Sequence, residues 1–349
     1  MRRRHLTAVT AAIADLAAHP DPAALGDGLS GPMARYCLAM ACGLLDRGAL
    51  DRATRVPGQP PRQAAVVAAR GVFTAPLEWV ALLATVGSSV TLKVPATAPA
   101  FGHAVAAAFQ VHGLAVEVTC TRDLPEVDAL VAMGDDTTMA VLAARHHRAR
   151  LLLHGHRFSV ALVQGSSAEL ARALAEDALL YDGRGCFTPV AVLHLGRPDE
   201  AATLARLLGE AMVELRARLP AGAIDPLHGP RWRLRAGLAR LGGGLFGTEG
   251  AAAALLPTSA FEPAALPGFL PVHPVADHAG LAALLAPWRT HLAACATDLA
   301  AGPDLDALGF ERRCRPGHLQ RPALPRTHGG REMLRPLMSH RSRGELDHP

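Results

Sequence analysis

The sequence predicts an α/β protein built on a doubly wound parallel sheet. Between residues 63 and 154, short apolar or β-branched runs alternate at close spacing with segments of helical period. Glycine or proline closes several of these runs, as expected where a turn follows a strand or helix. Half of the 349 residues are apolar, which excludes a disordered chain and supplies a sizeable core.

The chain begins with helices. Apolar residues at i, i+3 and i+4 predict helices over residues 6–19 and 34–50, joined by the loop PDPAALGDGLSGP. A proline-rich connector follows from Val56. Residues 1–62 are therefore predicted to hold amino-terminal helices and a linker.

Alternating strands and helices then form the predicted cofactor-binding domain, residues 63–150. The predicted strands lie in AAVVAARGVF, SVTLKVPATAP, AVEVTCT, LVAMGDD and RLLLHG. The helices between them are APLEWVALLATVG, FGHAVAAAFQVHG and TTMAVLAARHH, and DLPEVDA is a short turn or helix. Parallel sheets bind ligands at the carboxyl ends of their strands. Lys93, Gly134 and Gly155 all lie at such ends.

The predicted ligand edge lacks a GxGxxG fingerprint, so the usual Rossmann dinucleotide site is not predicted. MGDDTT places Gly134, two acids and Thr137 at a helix start. This turn is either a helix N-cap formed by Asp136 or Thr137, or a cofactor contact that includes Asp135 and Thr137.

Lys93 is the single lysine among 35 basic residues. It stands at a strand end, where its ammonium suits ribose hydroxyls or a phosphate. A solvated lysine without a ligand is the alternative.

The stretch Asp177–Leu195 carries the candidate nucleophile, Cys186. An amphipathic helix is expected to end at Gly183, the loop DGRG to present Cys186, and the strand VAVLHL to follow. We expect Gly185 to let the backbone turn, so that amide nitrogens beside Cys186 face a developing oxyanion. A buried core cysteine is the alternative.

The remaining composition favours no other kind of site. The other five cysteines form no CxxC pair, and the histidine clusters at 146–148 and 154–156 lack metal-site spacing, so no metal is predicted. A net charge of +4 with two Tyr and three Trp does not indicate nucleic-acid binding. No apolar run suits a signal peptide or a membrane span, so we expect a cytoplasmic protein.

The segment from Asp225 to Gly250 is rich in arginine and glycine. Its RWRLRAGLARLGGG portion predicts a surface helix that ends at Gly242. The alternative is a basic surface for an acidic ligand such as a CoA phosphate.

In order, TLKVP, MGDDTT, HGHRFSV and DGRGCFTP resemble segments of the aldehyde dehydrogenase superfamily. Within it, the chain is most similar to the acyl-CoA reductase group that includes the fatty acid reductase subunit of bacterial bioluminescence. The resemblance covers about residues 65–335. The matching residues are Gly155, Arg157, Ser159, Asp182, Cys186, Thr188 and Pro189, then Arg312 or Arg313, Cys314, Gly317, Gln320, Pro322 and His328.

Three departures from that group stand out. Gly155-His156-Arg157 replaces a Gly-Gly-Lys segment. The glutamate of hydrolytic relatives is missing, since residues 152–154 are Leu-Leu-His. Gly329 stands where a final Asp-Gly would begin.

The resemblance implies an aldehyde dehydrogenase-like fold, with a catalytic domain over residues 151–315. A last segment, 316–349, is expected to pack back and to end in a partly disordered tail. The implied activity is reduction of an acyl-CoA, or another acyl thioester, to an aldehyde through a cysteine acyl-enzyme. Lys93, Gly134, Asp135 and Thr137 are the expected cofactor contacts. NADPH is expected rather than NADH, because no carboxylate follows Lys93 to pair with a ribose 2′-hydroxyl.

Other readings stay open at this point. One is a non-catalytic subunit of a multi-enzyme complex with the same fold. Another is an acyl phosphate reductase, similar to glutamyl phosphate reductase, which shares the cysteine chemistry. A homo-oligomer and an acyl-transferring partner protein are both compatible with the sequence.

Overall fold

The computed structural model describes residues 2–223, 228–242, 244–328 and 331–339. This part of the chain forms two compact units. The first comprises residues 2–27, 38–155, 323–328 and 331–339, and the second comprises the described residues of 28–37 and 156–322.

The first unit contains a five-stranded sheet in which every pair of neighbours is parallel. Its strands are β1 (Gln63–Val67), β2 (Ser89–Lys93), β3 (Val116–Thr119), β4 (Ala129–Met133) and β5 (Arg150–His154). Their order is β3-β2-β1-β4-β5. The chain thus builds outward from β1 in one direction and then from β4 in the other, which confirms the doubly wound sheet.

The helices of the amino-terminal half follow the predicted apolar periods. They are α1 (Arg2–Ala17), α2 (Pro22–Leu25), α3 (Gly31–Leu44), α4 (Arg47–Ala53), α5 (Ala75–Val86), α6 (Ala100–Val111) and α7 (Asp136–Arg145). One prediction was wrong, because residues 34–50 form two helices. The Asp46 side chain accepts a hydrogen bond from the Ala49 amide (2.9 Å) and so begins α4 as a new helix.

The second unit contains a seven-stranded sheet. Its strands are β6 (Phe158–Val163), β7 (Pro189–Leu195), β8 (Leu245–Thr248), β9 (Ala251–Leu255), β10 (Phe269–Val275), β11 (Leu292–Thr297) and β12 (Arg312–Cys314). The order is β12-β11-β6-β7-β10-β9-β8, parallel except for the β8–β9 hairpin. β6 and β7 lie at its centre, and all of their residues are buried.

Helices cover both faces of this second sheet. They are α8 (Ala168–Leu179), α9 (Pro198–Arg218), α10 (His228–Leu241), α11 (His278–Leu285) and α12 (Pro303–Ala307). Apolar residues of α8 and α9 form one core with Val192 and Ala294, while Leu281 and Leu285 of α11 form a second core with Val160. The two close-packed cores fix the positions of β6 and β7. The turn that precedes β7 is therefore attached to a fixed strand.

The units divide the chain differently from the predicted domains. β5 is the edge strand of the first sheet, because residues 151–153 pair with residues 130–132 of β4. Residues 316–322 belong to the second unit, and the described residues from 323 onward belong to the first. Those residues include a short antiparallel pair, β13 (Thr327–His328) and β14 (Arg331–Glu332). The predicted disordered tail and Gly329 lie outside the described residues, as does Asp225.

The described residues contain neither a candidate membrane-spanning helix nor a candidate metal-ion cluster. None of their helices has both the length and the apolar character needed to cross a bilayer. Nor do three or more His, Cys, Asp or Glu side chains among them come together as a metal-ion cluster would require.

Candidate active site

Cys186 lies in a tight turn between α8 and β7, and its side chain is exposed. The Thr188 amide donates a hydrogen bond to the Gly185 carbonyl (3.0 Å), so Cys186 and Phe187 form the corner of a β-turn. The alternative of a buried core cysteine is therefore wrong. Because the Thr188 amide is already bonded, an oxyanion would have to use other donors.

The helix before this turn ends earlier than predicted. α8 stops at Leu179, and a 3-10 turn covers Leu180–Gly183. Left-handed backbone occurs at Tyr181 (φ 55°), Asp182 (φ 55°) and Gly183 (φ 71°). The sequence predicts that the chain changes direction at Gly185, but in the structure the left-handed residues lie two to four positions earlier. Left-handed backbone at two non-glycine residues is strained, and only a strong frame maintains it.

Ser159 of β6 fixes the carbonyl of the candidate nucleophile. Its hydroxyl donates a hydrogen bond to the Cys186 carbonyl oxygen (2.7 Å), and its Oγ accepts one from the Ala294 amide of β11 (3.2 Å). Ser159 is fully buried. The serine of the HGHRFSV segment thus ties the turn to the centre of the sheet.

Asp177 and Gln320 brace the same turn from the other side. The Asp177 carboxylate accepts hydrogen bonds from the Gly317 and Leu319 amides (2.7 and 2.8 Å). The Gln320 side-chain amide donates to the Asp177 carbonyl and to Thr188 Oγ1 (both 3.2 Å). Burial raises the pKa of Asp177 to about 7, against the pull of the two amides. The segment that resembles the family's carboxyl-terminal motif is therefore bonded to the residues that flank Cys186.

Asp182, the first residue of DGRG, connects the turn to the loop after α9. Its buried carboxylate pairs with Arg216 (2.6 Å) and accepts a hydrogen bond from the Gly222 amide (3.0 Å). Arg184 donates to the Ala223 carbonyl (2.9 Å). These long-range contacts explain how the strained backbone at Asp182 is held.

The structure separates the two arginines that matched the family motif equally well. The Arg312 guanidinium lies 4.6 Å from the centre of the Phe187 ring and donates to the His318 carbonyl (3.1 Å). Arg313 instead pairs with Asp306 (2.5 Å). Arg312 is the residue that belongs to the environment of the Cys186 turn.

The other thiols differ from Cys186 in their surroundings. Burial raises the pKa of Cys37 and Cys42 to about 12 and that of Cys314 to about 11, and it also raises the pKa of Cys295. Because the thiolate is the nucleophile, these four are poor candidates. Cys186 is the exposed thiol on a turn that distant segments hold in place.

The predicted cofactor residues lie at one edge of the first sheet. Val67 of β1 pairs with Lys93 on one side and with Ala132 on the other. Lys93 and the residues that lead to Gly134 are therefore about 10 Å apart across the carboxyl end of β1. The topological switch point, where sheets of this kind bind ligands, lies between β1 and β4.

Asp135 is the N-cap of α7, a role that we had predicted for Asp136 or Thr137. Its carboxylate accepts hydrogen bonds from the Thr138 amide (2.7 Å) and the Thr138 hydroxyl (3.0 Å). These bonds lower the pKa of Asp135. Thr137 is exposed beside it. Asp135 therefore acts as a simple helix cap. A ligand contact stays a prediction for Lys93, Gly134 and Thr137.

His154, at the end of β5, packs rather than facing solvent. Its ring stacks on His328 (3.9 Å between centres) and lies 5.6 Å from Trp79. It is buried, as is Leu152 on the same strand. The site of the missing glutamate is therefore occupied by side chains of the core of the first unit.

Sequence reasoning missed several residues that hold the Cys186 turn. Arg216, Gly222 and Ala294 lie in three different segments, and nothing in their local sequence marks them. Asp177 gave one signal, an acid on the apolar face of α8 between buried alanines and leucines. An acid at such a position requires hydrogen-bond donors from elsewhere in the fold.

The family is decided by one comparison. Residues 119–339 match the model of a protein family described as acyl-CoA reductase (LuxC). This chain belongs to the LuxC acyl-CoA reductase family. The match extends over more than half of the chain and includes Cys186 together with Ser159, Asp177, Arg216 and Gln320. Membership in the LuxC family places the protein among aldehyde-related oxidoreductases.

Solved structures agree on the fold. An oxidoreductase from Marinobacter aquaeolei superposes with a TM-score of 0.75 at 10% identity, over 96% of this chain and 83% of that one. A putative aldehyde dehydrogenase from Burkholderia cenocepacia superposes with a TM-score of 0.71 at 16% identity, over 97% of this chain and 85% of that one. Mycobacterium tuberculosis aldehyde dehydrogenase, complexed with NAD+, superposes with a TM-score of 0.69 at 14% identity, over 89% of this chain and 77% of that one. The predicted aldehyde dehydrogenase-like fold is thus confirmed, while no curated protein sequence matches the chain.

Proposed function

We propose that this protein reduces an acyl-CoA, or another acyl thioester, to an aldehyde through an acyl-enzyme on Cys186, with NADPH as the reductant. The observation that carries the proposal is the Cys186 turn itself. An exposed thiol follows the strained backbone of Tyr181 and Asp182, and Ser159, Gln320 and Arg216 hold this stretch through long-range hydrogen bonds. Preorganisation of this kind is what a nucleophile requires.

The proposed reaction starts at the thiol. The Cys186 thiolate attacks the thioester carbonyl, and CoA leaves as a thiolate, which needs little acid help because thiol pKa values lie near 8.5. NADPH supplies the hydride that reduces the acyl-cysteine. The resulting hemithioacetal breaks its carbon–sulfur bond, which releases the aldehyde and restores the Cys186 thiolate. No step activates water, in keeping with the packed residues at the place of the missing glutamate.

The residues of the first sheet suit a nicotinamide dinucleotide in part. Lys93 is half-exposed at the carboxyl end of β2, and in the described part of the chain its ammonium has no ion pair. It would bind a ribose hydroxyl or a phosphate. Thr137 would offer a hydroxyl, and Gly134 would let the backbone approach the cofactor. Asp135 would contribute by shaping the turn, since its carboxylate is bonded to Thr138.

We propose NADPH rather than NADH because of the charges at the end of β2. Val94-Pro95-Ala96-Thr97 follow Lys93, so the strand end carries no carboxylate to repel a 2′-phosphate. The lysine adds a positive charge at the same place.

The test is to mix the protein with an acyl-CoA without NADPH and follow its intact mass. We expect an increase of one acyl group on Cys186, stable until added NADPH discharges it as aldehyde. The same mixture with an acyl phosphate should acylate more slowly. Rapid release of free fatty acid would show that the site activates water, and it would replace this proposal with a hydrolase.

One observation favours a second candidate, a non-catalytic subunit. The Asp135 cap occupies an amide at the start of α7 and puts negative charge at the proposed cofactor edge. A protein of this kind would bind no nicotinamide cofactor. Calorimetric titration with NADPH separates the two, because micromolar binding supports the reductase, whereas no heat from the folded protein supports the subunit.

A further inference from the structure

Helix α10 is apolar on two opposite sides. Trp232, Ala236 and Ala239 are buried in a core with residues of β9 and β10. The Trp232 ring meets Phe269 edge-on, with 6.2 Å between centres. This inner side attaches α10 firmly to the second unit, so its outer side is a fixed part of the surface.

Three leucines form a stripe on the outer side of α10. Leu234, Leu238 and Leu241 are 65%, 57% and 89% exposed. The spacing i, i+4, i+7 aligns them along about 10 Å of the helix. Six large hydrophobic side chains are exposed in the described residues, and half of them lie in this stripe. Such clustering differs from the scattered exposed apolar residues of an ordinary surface.

Arginines flank the leucine stripe on both sides. At 100° per residue, Arg233 and Arg240 project along one edge and Arg231 and Arg235 along the other. Arg231 and Arg235 both pair with Glu262. Arg233 and Arg240 are exposed and form no ion pair within the described part of the chain. The stripe and its edges are therefore basic as well as apolar.

We propose that α10 docks this protein on an anionic lipid surface. The three leucines would enter the boundary between headgroups and acyl chains, and the arginines beside them would bind lipid phosphates. Helices that lie in the interface have this pattern, with leucine on one face and arginine beside it. None of the described helices spans a bilayer, so the attachment is peripheral and reversible.

A lipid surface fits α10 better than a protein groove does. The outer side is a single convex ridge, and a protein partner would need a matching groove with acids along both walls. A bilayer presents phosphate on every side of an inserted helix and adapts to its shape. The inference does not depend on the proposed reaction.

The test is co-sedimentation of the full chain with vesicles of phosphatidylcholine alone or with 30% phosphatidylglycerol, on the order of 0.1 M salt. We expect binding to the anionic vesicles to exceed binding to the neutral ones at least about tenfold. The double variant Leu234→Ser/Leu238→Ser should lose that binding by about tenfold, and Arg233→Gln/Arg240→Gln should lose part of it. The matched control is Val111→Ser/Val213→Ser, which removes apolar side chains exposed elsewhere (78% and 37%) and should bind normally.

Circular dichroism and light scattering on each variant make the result decisive. Failure of the folded wild type to bind anionic vesicles would overturn the proposal. So would binding that the leucine variant retains. Self-association that the same leucine variant abolishes would assign the stripe to a second copy of the chain. Binding of millimolar free CoA that the arginine variant loses and the leucine variant keeps would overturn the proposal and assign the arginines to a nucleotide phosphate.

Discussion

The turn at Cys186 and the turn at Gly134–Thr138 look alike in the sequence, but the structure holds them in different ways. Both place glycine next to acidic and hydroxyl residues between a strand and a helix. At Cys186 the bonds come from Ser159, Arg216 and Gln320, which lie far away in the chain. At Gly134–Thr138 the Asp135 carboxylate accepts hydrogen bonds from the amide and hydroxyl of Thr138, three residues on.

The difference separates a site from a helix start. Local bonds of the Asp135 kind form wherever a helix needs a cap, whatever the protein does. Hydrogen bonds from three distant segments constrain one backbone geometry, and such constraint is required where a reacting atom must be positioned. The Cys186 turn therefore carries the chemistry in our proposal, and the Gly134 turn carries only cofactor binding.

The largest effect should come from Cys186→Ala. Removing the thiol removes the acyl-enzyme, so reductase activity should fall by at least about 10³-fold, measured as NADPH oxidation with an acyl-CoA. Cys120→Ala, a change at a partly exposed thiol of the first unit, is the control and should keep full activity. Turnover by the alanine variant at Cys186 would rule out the covalent mechanism.

Ser159→Ala tests whether the long-range bonds matter for activity. The change removes the donor to the Cys186 carbonyl and leaves the Ala294 amide without its acceptor, which should cost about 1–3 kcal/mol of stability. A displaced nucleophile should also lower kcat about 10–100-fold.

Ser167→Ala is the matched control for Ser159→Ala. It removes the N-cap of α8, whose hydroxyl accepts a hydrogen bond from the Leu170 amide (3.1 Å), and should cost about 1 kcal/mol. Activity should stay near the wild-type value. Equal kcat values in the two variants would show that the Ser159 bond stabilises the fold without positioning Cys186.

Asp177 should make stability depend on pH between about 4 and 7. Its pKa in the folded chain, about 7, lies above the ordinary aspartate value of 3.8. The folded state therefore holds a proton that the unfolded state releases, and the unfolding free energy should fall as pH rises through this window. The loss should be on the order of 4 kcal/mol, since one pKa unit corresponds to about 1.4 kcal/mol.

Asp177→Asn should flatten that window in denaturant unfolding measured from pH 4 to 8. Asp199→Asn, at an exposed acid on the first turn of α9, should leave the window unchanged. An unchanged slope in the Asp177 variant would mean that the carboxylate stays ionised in the folded protein.

The smallest effect is expected at Lys93, at the carboxyl end of β2 in the first sheet. Lys93→Ala should raise the KM for NADPH about tenfold with little change in kcat, because a binding contact is lost. Arg62→Ala removes an exposed cation next to the amino end of β1 and should change neither constant. A preference for NADH in the wild type, or an unchanged KM in the Lys93 variant, would contradict the cofactor assignment.

Sequence reasoning succeeded where a signal is local or repeated. The strands and helices of residues 63–154 show their periods within a few residues, and their alternation led to the doubly wound sheet. The division of α3 from α4 at Asp46 was missed, because a continuous apolar period concealed a cap. At MGDDTT the cap was recognised but assigned to the wrong residue, since three neighbouring side chains were all capable of it.

By itself, the sequence determined the α/β class, the parallel sheet and Cys186 as the candidate nucleophile, because periodicity and motif order are properties of the chain. Only the tertiary structure decided which residues support that cysteine. Ser159, Arg216 and Gln320 bond to residues of the turn from segments far apart in the chain, and Asp177 bonds to the segment that carries Gln320. It also decided that Arg312, and not Arg313, lies against Phe187. Such pairings depend on strand order and register, which no local pattern encodes.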